Sequence, residues 1–203
     1  MTTKYGFSDV RGQLIKDLKG AYPTKWEDFR TSKILGEDVF GSPKPHPNAV
    51  LNLFMEQNIR FAIPFAAYRA SIGGFSALTS DERGVALSRR TLATTVHGMH
   101  VMRSMASHAA RVIAYGGNLR MCTDEACNLK TDIQPTAKRM ELQEKIYNLM
   151  IAEREGGVLA PPSLGHLCSE CTENIEVIHA QWRSLFWENL PSLFAVSDSW
   201  SDL

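Results

Sequence analysis

All four cysteines of this chain come in two close pairs, Cys122-Thr-Asp-Glu-Ala-Cys127 and, about 40 residues later, Cys168-Ser-Glu-Cys171. Short spacing lets each pair grip one side of a tetrahedral ion, and the long gap makes that ion a cross-link between distant segments. Any fold of the chain must bring the two pairs together if they share a metal. A shell of Cys122, Cys127, Cys168 and Cys171 has no open coordination position, so the expectation is a structural zinc with thiolate bonds of about 2.3 Å and no chemistry of its own. Three other readings stay open. His166, two residues before Cys168, is able to replace one thiolate. Two disulfides fit the same count, and Cys168-x-x-Cys171 at a helix start has the form of a redox motif. Redox chemistry of the thioredoxin type needs strands beside the motif, and no alternating pattern surrounds this pair.

Around the cysteines the periodicity is helical. Val10, Leu14, Ile15 and Leu18 repeat on one face from Ser8 and stop at Tyr22-Pro23, and Thr24 to Phe29 reads as a short helical turn. Prolines at 43, 45 and 47 make the stretch from Gly36 a loop, with Pro47 opening a helix through Val50, Leu51, Phe54 and Met55 to Asn58. Another helix starts near Pro64 and stops at Gly73-Gly74. Thr79-Ser-Asp-Glu82 has the capping-box pattern, which predicts a long helix over about 80–115 closed by Gly116-Gly117. Two more helices come after it, over 136–155 and 172–189, the last with Ile175, Ile178, Trp182, Leu185 and Phe186 on one side. The expected fold class is all-α, an irregular helical bundle around the long central helix. The expected organisation is an N-terminal helical segment and Pro-rich linker over 1–45, then a helical domain with the zinc site over 46–203.

The 80–115 helix carries an unusual polar stripe, Arg89, Arg90, His97, His100, Ser104, Ser107, His108 and Arg111. No Asp or Glu lies between Arg83 and Arg120. The plainer expectation is neutralisation by the acidic last helix, with Glu170, Glu173, Glu176 and Glu188, and by the terminal acids, the cheapest pairing being with Glu173 and Glu176. The sharper one is a groove for an anion or an acidic partner, with Arg89, Arg90, His97, His100, His108 and Arg111 as its residues. His97 and His100 are three apart, but no third metal ligand is indicated.

Lys and Arg total 22, as do Asp and Glu. The resulting net charge of zero argues against nucleic acid as the partner. No apolar run reaches the roughly 20 residues of a membrane span, and Met1 to Asp9 has no apolar export region. These readings place the chain in the cytosol or nucleus with reduced or metal-bound thiols. No Gly-rich phosphate loop, G-x-S-x-G elbow or H-E-x-x-H helix marks a reaction, so an enzyme is the weaker expectation.

A set of loose motifs carries a resemblance. They are Lys4-Tyr-Gly-Phe-Ser-Asp-Val10-Arg, Tyr22-Pro-Thr-Lys-Trp26, Pro45-His-Pro-Asn-Ala-Val50-Leu-Asn-Leu, Ile63-Pro-Phe-Ala-Ala-Tyr68, Cys168-Ser-Glu-Cys171, Trp187-Glu-Asn-Leu-Pro191-Ser-Leu-Phe194 and Trp200. Over nearly its whole length the chain resembles the region after the BTB/POZ domain in basidiomycete BTB-domain proteins. The resemblance implies a BACK-like helical module of an adaptor protein, with no catalytic residues. The BTB domain itself does not precede Met1 in this sequence, so a cullin-binding role does not transfer with the resemblance. The expected function is a zinc-stabilised helical module that binds protein. The alternatives are an enzyme or anionic-ligand-binding protein using the Arg/His stripe, or a nucleic-acid-binding regulator.

Overall fold

The computed structural model describes residues 7–31, 45–72, 74–79, 85–115, seven positions between 140 and 148, and 168–203. Of these, 82% are helical and none lies in a strand. The fold class is all-α. The chain divides into two compact units, Met1–His97 with Glu188–Leu203, and Gly98–Trp187.

The first unit is built around α4. Helices α1 (Phe7–Ala21) and α2 (Trp26–Thr31) precede α3 (Pro47–Glu56), a 3-10 turn (Arg60–Ala62), α4 (Ile63–Ile72) and α5 (Gly74–Thr79). Pro23 breaks α1 where the sequence predicts. The break leaves Tyr22 buried, edge-on to Phe54 of α3 at 4.7 Å and to Phe65 of α4 at 6.0 Å. Phe29 of α2 meets the same Phe65 at 5.6 Å. Rings in this edge-to-face arrangement add about 0.5–1.5 kcal/mol per pair beyond the area they bury. Every residue of α4 from Ile63 to Tyr68 is buried, as are Ala70 and Ser71. Such a helix has no face to give to water, and α4 duly touches α3, α5 and the four-residue helix α8 (Leu190–Leu193). A 3-10 turn, Trp200–Asp202, lies at the end of this unit.

The long helix α6 runs from Arg89 to Tyr115, later than the sequence predicts. Residues 85–88 are not helical. The Thr79 hydroxyl donates backward to the Phe75 carbonyl at 3.0 Å, which makes Thr79 the last residue of α5 and not a cap for the long helix. The cap is Ser88, whose Oγ accepts the Thr91 amide at 3.1 Å. Two asparagines a turn apart on α3 hold the approach to it: Asn48 donates to the Val85 carbonyl at 3.4 Å and Asn52 to that of Ala86 at 2.9 Å. On α6 the buried positions are Thr91, Thr95, Gly98, Met99, Met102, Ala106, Ala109, Ala110, Ile113 and Ala114. That is one helical stripe. Val112 is exposed.

In the second unit the described elements are α6 from Gly98 onward, helical positions within 140–148, and α7 (Ser169–Glu188) up to Trp187. Ile146 is fully buried. On α7 the buried side chains are Cys171, Ile175, His179, Phe186 and Trp187. Phe186 and Trp187 are buried and Trp182 is half-buried, whereas Leu185, expected on the same side as Phe186, is 45% exposed.

Candidate functional site

Cys168 stands immediately before α7, and Cys171 is in its first turn. The Cys171 amide donates to Cys168 Sγ at 3.5 Å, and the Thr172 amide to the Cys168 carbonyl at 3.0 Å. Cys168 therefore serves as the N-cap, its sulfur doing what a serine oxygen does elsewhere. Cys168 is half-buried and Cys171 is buried. Cys122, Cys127 and His166 lie outside the described residues. Among the described residues no group of three or more His, Cys, Asp or Glu gathers, and only two of the four predicted ligands are among them.

The Arg/His stripe of α6 points to solvent. Arg89, Arg90, His97, His100, His108 and Arg111 are all exposed. His108 meets the ring of Trp182 on α7 edge-on, with centroids 5.7 Å apart. The expected neutralisation by α7 does not form there. Arg111, Glu173 and Glu176 are all exposed, and among the described residues no ion pair joins them. Hydrated charges gain little from pairing and lose side-chain freedom by it, so water answers this stripe.

One member of the stripe has a second setting. In the first unit Arg90 borders a cavity of about 330 Å³, together with Arg60 of the 3-10 turn. Leu51 and Met55 of α3, Ile63 and Ala67 of α4, and Phe194 form its apolar wall. Thr91, Thr94 and Thr95 of α6 line it on the polar side. Arg60 donates from Nη2 to the Val196 carbonyl at 2.9 Å, tying the turn before α4 to the segment after α8. Sequence reading passed over Arg60, Thr94 and the carbonyls of the 194–196 segment. An arginine beside Phe61 looks like any surface charge, and the cavity exists only once residues 60, 90 and 196 are folded together.

Compared with protein-family models, curated proteins and solved structures, the chain matches none of them. Among the described residues no helix is long and apolar enough to cross a membrane.

Proposed function

We propose that this chain is a zinc-stabilised helical module that binds another protein, resembling the post-BTB region of fungal adaptor proteins. It would work in the cytosol or nucleus, where thiols stay reduced and open to a metal. The observation that carries the reading is the Cys168–Cys171 turn. The Cys171 amide donates to the Cys168 sulfur at the helix start, which supports a two-thiolate half-site, and the sequence supplies a second pair, Cys122 and Cys127, for a four-thiolate shell. Bound there, zinc would cross-link the chain between its first and second cysteine pairs. Protein binding is supported by the outward side of α7, where Val177 and Leu185, two turns apart, are 54% and 45% exposed. Isolated exposed apolar residues are common, but a pair on one amphipathic helix offers anchors for a partner.

Metal analysis of the purified full chain tests the first half. One zinc per chain is expected, falling well below one in Cys168→Ser, with a lower melting temperature when the metal is removed. Metal-free protein that melts where the loaded protein does would overturn the assignment. For the second half, a partner isolated by cross-linking should be lost in the Val177→Asp, Leu185→Asp double variant while melting stays unchanged. Retention of the partner by that variant would move the binding surface elsewhere.

A further inference from the structure

We propose that the cavity of the first unit binds a small amphiphilic carboxylate, a single carboxylate head on an apolar body. The site is independent of the cysteines, all of which fall in the second unit. Four features of the cavity lead there. Its volume of about 330 Å³ is at the lower end of what small-molecule sites enclose, so the ligand is small. Leu51, Met55, Ile63, Ala67 and Phe194 give its lining an apolar part that offers a head group nothing to bond to. A ligand body lying there is therefore hydrocarbon.

The third feature is charge. Two arginines, Arg60 and Arg90, border the cavity, and no carboxylate is among the described residues lining it. Arg90 is exposed and has no ion-pair partner among the described residues, while Arg60 spends one of its donors on the Val196 carbonyl. A guanidinium presents five donors in a planar fork matched to an oxyanion, so both keep capacity for a head group. Of the threonines, Thr95 donates to the Thr91 carbonyl at 2.8 Å and Thr91 shares a 2.7 Å bond with Ser88. Those two hydroxyls are already used. Thr94 is half-buried, has no hydrogen bond of its side chain among the described residues, and supplies a further donor beside the arginines.

The fourth feature is the backbone. Asn58 and Ala195, with φ of 50° and 51°, are the two non-glycine residues with positive φ among those described. Both line this cavity. Alanine has no local side-chain bond to compensate a left-handed conformation, so the surrounding structure imposes it. Backbone held in such regions clusters at ligand-binding places. Here residue 195 stands next to Val196, whose carbonyl Arg60 reaches at 2.9 Å.

The experiment is calorimetric titration of the full chain with decanoate, decyl phosphate and decanol, each below its aggregation concentration. The expected result is saturable binding of one decanoate per chain, with decanol about tenfold weaker or more, as loss of a charged hydrogen bond implies. Arg90→Gln should weaken decanoate about tenfold and leave decanol unchanged, at wild-type melting temperature. Thr94→Met, which narrows the cavity without removing charge, should weaken both. Equal affinity for decanoate and decanol, or decanoate binding indifferent to both substitutions, overturns the proposal. Saturable binding of decyl phosphate with none of decanoate overturns the carboxylate head.

Discussion

His179 is a titratable ring in an unfavourable place. It lies on the buried side of α7, 1% exposed, and its Nδ1 has no hydrogen-bond partner among the described residues. Burial, with the Arg183 guanidinium adding to it, pushes the imidazole from its usual 6.5 down to about 4. The folded protein thus keeps the ring neutral where the unfolded chain protonates it. Above pH 6.5 neither state holds the proton, and the residue gives no pH dependence. Between pH 6.5 and about 4 the unfolded state binds a proton that the native state refuses, so stability falls as the pH falls. The loss amounts to about 3 kcal/mol across that window and levels off below it. Chemical denaturation measured between pH 7.5 and 4.5 should show this decline in the wild type and a flatter profile in His179→Leu. An identical profile in the two proteins would mean that other groups govern acid sensitivity. Nothing in the sequence singles out this histidine. It sits between Ile178 and Ala180, and its burial comes from the rotation of α7, which places 171, 175 and 179 on one side in steps of four.

At the scale of elements, the start of α6 offers a clean comparison. Ser88→Ala removes the oxygen that accepts the Thr91 amide and should cost about 1 kcal/mol, the usual worth of an N-cap. Thr79→Ala removes an exposed hydroxyl bonded only to its own helix and should cost no more than about 0.5 kcal/mol. Paired urea midpoints decide the matter, and equal losses would restore the capping box at 79–82. Helix ends marked by proline are where sequence reading succeeds. Tyr22-Pro23 ends α1, Pro47 opens α3 with His46 Nδ1 accepting the Asn48 amide, and Pro64 stands one residue inside α4. These positions are legible because a missing N–H and a fixed φ act locally, whatever the rest of the chain does. Hydroxyl signals fail for the opposite reason. Thr79 can serve the helix behind it or the helix ahead, and only the hydrogen bond it finally makes tells which. Thr91 and Thr95 mislead similarly. A count of apolar residues leaves them out of the core, yet Thr95 satisfies its hydroxyl on the Thr91 carbonyl and both are buried. For the candidate cavity the sequence offers Arg90 alone. Its other charged member, Arg60, comes from a different element, and Ala195 adopts a conformation that alanine does not advertise.

For the molecule as a whole, the division into units makes the effect of a metal local. All four cysteines belong to Gly98–Trp187, whereas the aromatic cluster of Tyr22, Phe29, Phe54 and Phe65 belongs to the other unit. Under the zinc proposal, chelation should speed amide hydrogen exchange along α7 by about an order of magnitude or more, while α3 and α4 keep their protection. Uniform acceleration over both units would show that they open as one. The same division has a consequence for biosynthesis. The first unit is discontinuous: α4 is laid down early, but its neighbour α8 belongs to the stretch Glu188–Leu203. At about 5–20 residues per second, the ribosome needs roughly 6–23 s to make the residues between α4 and α8. For that interval the side of α4 that α8 covers in the folded chain lacks that neighbour, which leaves its apolar residues open to non-native contacts.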